Sequence, residues 1–253
     1  MSGHSKWSTI KRQKGSKDIK RGQIFTKLSN AITVAVRQGG GITDPESNFR
    51  LRLAIEAARS GNMPKDNIER AVQRAAGKQG DGVEEALFEG FGPGGFCVIV
   101  DALTDNKQRT FNEVKHAFDK NGGILGNSGS VLYQFEKRGI VSVLKNGKTL
   151  DEIFFIAADC FAEDVEDGGD EVFIYTKPED LARSQKLLKD RGLEIGSIEL
   201  GWKPRVITPI SDSNTAEKAL TFLEKIDSLD DVQKVYANFD IPENLMRSHS
   251  LNE

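Results

Sequence analysis

The hydrophobic period of this 253-residue chain changes once, near Gly82, and that change limits what each stretch can build. Before it, Phe25, Leu28, Ile32 and Val36 recur at helical spacing, and Gly39-Gly40-Gly41 ends the helix. A second helix is expected over about 45–60, with Phe49, Leu53 and Ala57 on one side and Gly61 as its stop. Pro64 suits the first turn of a third helix, where its missing N–H costs nothing; Ile68, Val72 and Ala75 line that helix. Three short helices sharing one apolar side make a small bundle.

After Gly82, strands are expected at 86–91 and 96–103, joined by the turn Gly92-Pro93-Gly94-Gly95. A helix over 106–121 follows, with Phe111, Val114 and Phe118 inward. Further strands are expected at 130–135, 140–144, 171–175, 194–200 and 232–238, and helices near 150–161, 178–191 and 214–229. The run from 140 to 200 is complete enough to fold as a unit, while the last helix and strand complete the unit begun at residue 83. The expected fold class is α+β multidomain. It has a basic arm and helical bundle (1–80), a discontinuous α+β domain (81–137 plus 206–245) and an α+β domain inserted into it (138–205).

Charge divides the chain at the same place. Residues 1–80 hold 16 basic and 6 acidic side chains, whereas 81–253 hold 19 and 32. The first 27 residues carry Lys6, Lys11, Arg12, Lys14, Lys17, Lys20, Arg21 and Lys27 against one aspartate, with Trp7 as an early aromatic. Such a segment suits a polyanion, and nucleic acid is the commonest one. The candidate nucleic-acid-binding residues are those eight cations and Trp7, joined by Arg50 and Arg52 of the bundle. Trp7 either stacks on a base or anchors the arm on the bundle. No apolar run approaches the roughly 20 residues that cross a bilayer, so no membrane role is expected. Cys97 and Cys160 sit in apolar stretches and read as small buried residues, in keeping with a reducing, cytoplasmic compartment.

Other chemistry is poorly supported. The glycine clusters at 39–41, 92–95 and 122–126 lack phosphate-loop spacing and read as turns, so no cofactor is expected. His4, His116 and His249 are scattered without a metal-ligand pattern. Ser128 has no neighbouring base to mark it as a nucleophile, and no enzyme is expected. The acidic run 163–171 holds six carboxylates; a solvated turn is the ordinary reading, and a cation or a basic protein surface the sharper one. The rival to a nucleic-acid binder is therefore a protein–protein adaptor, or an enzyme using that run with Ser128 and His116.

Longer motifs narrow the field. Gly3-His4-Ser5-Lys6-Trp7, Lys20-Arg21-Gly22 with Phe25-Thr26-Lys27, Asn62-Met63-Pro64-Lys65-Asp66 and Ile68-Glu69-Arg70-Ala71 resemble the YebC/PmpR family. Glu89-Gly90-Phe91-Gly92-Pro93-Gly94-Gly95, Leu103-Thr104-Asp105-Asn106, Asn121-Gly122-Gly123, Gly129-Ser130-Val131 and Phe135-Glu136-Lys137 follow the same pattern. The resemblance spans residues 2 to about 245, with Thr9 where an Asn is usual and a variant loop at Gly41–Pro45. It implies an N-terminal three-helix domain and two ferredoxin-like α+β domains, the third inserted into the second. It further implies a regulator of gene expression, described either as a DNA-binding transcriptional regulator or as a translation factor that relieves stalling at the ribosome. Its partners would be DNA or ribosomal RNA, with the basic N-terminal motif as the contacting face. The motif beginning at residue 2 favours a bacterial-type cytoplasmic protein. The target site and the oligomeric state are not legible.

Overall fold

The computed structural model describes residues 19–77 and 82–242, with the backbone alone for Ile19, Lys20 and Arg21. These residues form two compact units, one of 19–134 with 206–242 and the other of 135–205.

The first unit begins with helices α1 (Ile19–Gln38), α2 (Phe49–Ser60) and α3 (Lys65–Ala76). Asn48 sets the start of α2. Its side-chain oxygen accepts from the Leu51 N–H, and its amide nitrogen donates to the carbonyls of Ala35 at 2.9 Å and Ile42 at 3.1 Å. That contact demands glycine at 39, where a Cβ would stand 2.1 Å from the Asn48 amide. Residues 44–48 are therefore a turn, with Asp44 accepting from the Glu46 N–H and the Ser47 hydroxyl, and α2 starts four residues later than the sequence suggests. Packing against α1 and α3 selects the buried face. Leu51, Ile55 and Ala58 point inward, whereas Ala57 is exposed and Leu53 only half-buried. They meet Ile32, Ala35 and Val36 of α1, and Met63, Ile68, Ala71 and Ala75, in one core.

Strands β1 (Glu84–Phe91) and β2 (Cys97–Thr104) form an antiparallel hairpin. The short β3 (Ile124–Leu125) pairs with the free side of β1. Helix α4 (Lys107–Lys120) packs through Thr110, Val114, Ala117 and Phe118, while Phe111 stays partly exposed beside Phe88. Phe118, Phe222, Phe96 and Phe239 stack edge to face, with the Phe118–Phe222 centroids 4.9 Å apart and Phe96–Phe239 4.8 Å. Phe222 belongs to α7 (Ser213–Asp227); both it and the last partner of β2, the antiparallel strand β9 (Val232–Ala237), come from beyond residue 206. The four-stranded order is β3-β1-β2-β9, and β8 (Thr208–Pro209) pairs in parallel with β10 (Phe239–Asp240).

The strand expected at 130–135 is not formed. Residues Leu132–Gln134 make one tight 3-10 turn, because the Glu89 carboxylate gathers their backbone. Glu89 is 2 % exposed and accepts from the N–H groups of Gly129 at 2.7 Å, Val131 at 2.8 Å and Leu132 at 2.8 Å. Those donors are thus directed at one acid and not at a neighbouring strand.

The second unit runs β4 (Phe135–Leu144), α5 (Leu150–Ala158), β5 (Asp164–Asp167), β6 (Glu171–Thr176), α6 (Leu181–Asp190) and β7 (Glu194–Pro204). All pairings are antiparallel, in the order β5-β6-β4-β7. Strand β5 corrects the reading of the acidic run as a solvated turn: 164–167 is an edge strand, and only Gly168–Asp170 turns. Each paired acid there meets a cation distant in sequence. Asp164 and Glu166 meet Lys203, Glu163 meets Arg138, and Asp167 meets Lys145 at 2.8 Å.

Candidate nucleic-acid interface

The described structure places few of the candidate residues in the open. Lys6, Trp7, Lys11, Arg12, Lys14 and Lys17 lie outside the described residues, and Lys20 and Arg21 are placed by backbone alone in the first turn of α1. Lys27 is turned to an internal task. Its ammonium donates to the Asp227 carbonyl at 2.7 Å, where the C-terminal end of α7 favours a cation. One turn earlier, Gln23 donates to Asp230 at 3.0 Å. Arg37 donates to the Val83 carbonyl at 3.1 Å. These bonds fasten the bundle to the sheet and helix that follow it.

Arg50 and Arg52 sit on α2, roughly half and a third exposed. Arg50 donates to Gln38 and lies 3.9 Å from Glu85. Arg52 lies 3.9 Å from Glu46 and 5.8 Å above the Phe49 ring, and its Nε is buried with no hydrogen-bond partner. Pairs of this length at an exposed surface are worth about 0–1 kcal/mol, so both guanidinium groups can exchange a carboxylate for a phosphate.

Four further cations of the bundle, beyond Arg50 and Arg52, lie on α2 and α3. Arg59, Lys65, Arg70 and Arg74 are all exposed. Arg70 and Arg74 are one turn apart and exposed, with exposed Gln73 beside them, while Asn67 is half-buried at the border of the stripe formed by Ile68, Ala71 and Ala75. Arg70 is held upright by the Asp66 carbonyl at 3.2 Å and by Asn67. Among the described residues no ion pair holds Arg59 or Arg74. The signal was in the sequence as helical spacing, but only a known buried face says which side of α3 is outward. Residues 19–77 carry ten cations and five carboxylates, a net of +5.

Rival sites find less support. His116 is on the exposed side of α4 and Ser128 is in an exposed turn, and no hydrogen bond joins them among the described residues. No group of three or more His, Cys, Asp or Glu could hold a metal ion among the described residues. Cys97 and Cys160 are free and buried, and burial pushes both thiols up. Phe173 and Tyr175 alternate on β6 as base-stacking aromatics would, yet they are 3 % and 1 % exposed, and Lys203 lies 4.2 Å above the Tyr175 ring. No described helix is long and apolar enough to cross a membrane.

Fold and surface together define an α+β protein whose net positive charge is concentrated on an N-terminal helical bundle. The chain belongs to the TACO1/YebC family: residues 5–78 match the TACO1/YebC protein N-terminal domain, and residues 83–239 the TACO1/YebC second and third domain. A relative from Persephonella marina, named a probable transcriptional regulatory protein, is 46% identical over 252 residues, covering 99% of this chain and all of its own. One of the same name from Herpetosiphon aurantiacus is 44% identical over 252 residues, 99% of each chain. The crystal structure of a conserved hypothetical protein from Aquifex aeolicus superimposes with a TM-score of 0.83 at 44% identity, covering 89% of this chain and 92% of that one.

Proposed function

We propose that this chain is a non-enzymatic regulator of gene expression in the cytoplasm that binds nucleic acid through its basic N-terminal arm and helical bundle. The observation that carries the reading is the outer side of α3, where Arg70, Gln73 and Arg74 stand exposed, on a bundle of net +5. In this reading the cations of residues 6–21, with Arg50, Arg52, Arg59, Lys65, Arg70 and Arg74, neutralise phosphates. The remaining α+β part and the ferredoxin-like insertion at 138–205 reach a protein or ribosomal partner.

Structured RNA, and ribosomal RNA in particular, is the favoured target. An arm reading backbone and shape suits it, whereas a DNA operator usually calls for a symmetric dimer. The names of the relatives favour the second reading, a transcriptional regulator on DNA. Crosslinking in cells followed by sequencing of the bound strands separates the two: ribosomal RNA supports the first and a few promoters the second. If six to eight phosphates are engaged, log K falls with log salt at a slope of about −4 to −7. An affinity independent of salt would overturn the electrostatic reading for either target.

A further inference from the structure

Helix α5 of the second unit is built differently from the helices around it. Its sequence, Leu-Asp-Glu-Ile-Phe-Phe-Ile-Ala-Ala, contains no cation. Its inner side is Ile153 and Ala157, both fully buried, with buried Cys160 just beyond its end. Helical spacing then places Asp151, Phe154, Phe155 and Ala158 outward, followed by Asp159 at the C-cap. Phe155 is 73% exposed and Phe154 51%, with the two rings in edge contact at 6.1 Å.

Single exposed apolar residues are ordinary, but two touching aromatics present one continuous apolar surface on a fixed support. The support is firm: the Thr149 side chain accepts from the Glu152 N–H, and the Glu152 carboxylate accepts from the Thr149 N–H in return, closing a capping box. Acids at the start of α5 suit the helix dipole, whereas Asp159 at the other end opposes it. Arg191, 3.2 Å away, offsets that opposition and is the cation paired with Asp159. The outer face is thus aromatic at its centre and acidic at its start, where Asp151 and Glu152 lie, while Asp159 at its end is balanced by Arg191.

We infer that this face docks a cationic amphipathic segment of a partner protein. The partner's apolar side chains cover Phe154 and Phe155, and its lysines or arginines meet Asp151 and Glu152. Charge selects this occupant over the others. Phosphate backbones and anionic bilayers are repelled by the same carboxylates. Among the described residues a second copy of the chain offers exposed cations on α2, α3 and α6, but the apolar sides of those helices are buried in their own units. The inference rests on α5 alone and holds whether or not the bundle binds nucleic acid.

The test uses the full chain and a labelled synthetic helix of about 18 residues. The helix carries leucine at i, i+3, i+4 and i+7 and lysine elsewhere, and is set against its counterpart with glutamate for lysine. The lysine peptide is expected to bind, more weakly as salt rises, and the glutamate peptide not to bind. Phe154→Ser with Phe155→Ser should weaken binding by roughly tenfold or more, with an unchanged melting temperature, because both rings are on the surface. Asp151→Asn should weaken it by about twofold and flatten its salt dependence. Unchanged affinity in the phenylalanine variant, or equal binding of the glutamate peptide, overturns the inference. Sedimentation showing self-association of the peptide-free chain that the phenylalanine variant abolishes overturns it in favour of a second copy. Binding of a labelled RNA oligomer to a chain with Arg70→Gln and Arg74→Gln, abolished when Phe154→Ser and Phe155→Ser are added, overturns it in favour of nucleic acid.

Discussion

The helical bundle and the inserted unit hold nearly the same number of cations, ten in residues 19–77 and eleven in 135–205, yet they carry opposite net charges, +5 and −4. In the inserted unit Lys145, Lys203, Arg138, Lys177, Arg191 and Arg205 all pair with carboxylates of the same unit, which holds fifteen. In the bundle only five carboxylates are present, and Arg59 and Arg74 point outward without an ion pair among the described residues. The lesson is that a count of lysines and arginines measures potential charge, while the partners in space decide how much of it reaches a ligand. Arg183, Lys186 and Lys189 are exposed on α6 as well, so the two units differ in the carboxylates that surround their cations.

This contrast can be broken most decisively at the bundle. Replacing Arg59, Lys65, Arg70 and Arg74 together by glutamine should weaken nucleic-acid binding by two to three orders of magnitude near 0.1 M salt and flatten the salt slope by about 3 to 4. Denaturant unfolding of the same variant should move by less than about 1 kcal/mol, since these groups are exposed. A large loss of stability with unchanged affinity would reverse the assignment of the bundle's cations.

Lys203 is the complementary case. It is 11% exposed, bonded to Asp164 and Glu166 and stacked on Tyr175. Lys203→Met should destabilise the inserted unit by about 2–3 kcal/mol, because two carboxylates lose their shared counter-charge. Nucleic-acid affinity measured on the same protein should stay within twofold.

A smaller effect is expected from acid. Burial pushes the Asp167 carboxyl up, but bonds from Lys145 and the Gly169 N–H outweigh it and hold the group below the usual carboxylate range. Because its folded-state pKa lies below an unfolded value of about 3.9, its stabilisation is present above that value and is lost as pH falls through the folded one. Unfolding midpoints of Asp167→Asn and the parent chain should therefore differ near neutral pH and converge below about pH 4. The smallest change belongs to Arg191→Ala, whose surface pair with Asp159 is worth about 0.5 kcal/mol by thermal melting.

Much of the fold was legible where a residue's role follows from its neighbours in sequence. The three bundle helices, the hairpin at Gly92–Gly95 and the helices from 107 onward all appear near their expected places, because spacing and turn glycines are local signals. What escaped depends on partners far along the chain. The side-chain cap of Asn48 delayed α2, packing against α1 and α3 chose its buried face, and the carboxylate of Glu89 replaced a strand with a turn some forty residues later. Strand β5 was hidden because its acids looked solvated until Lys203, Arg138 and Lys145 supplied their partners. The candidate site was legible as a charge excess, but not as a surface: Lys27 belonged to the list by composition and proved to be a fastening between helices.

That fastening has a consequence for how the molecule comes into being. Lys27 closes onto a carbonyl two hundred positions later, and the β2 edge receives β9 only from residues past 231. During synthesis the earliest helix emerges long before the helix end it must grip. The amino-terminal bundle can therefore acquire its helices early, but it is locked to its neighbour only when almost the whole polypeptide has left the ribosome. A chain cut short before α7 would keep its positive surface and lack the clasp that orients it.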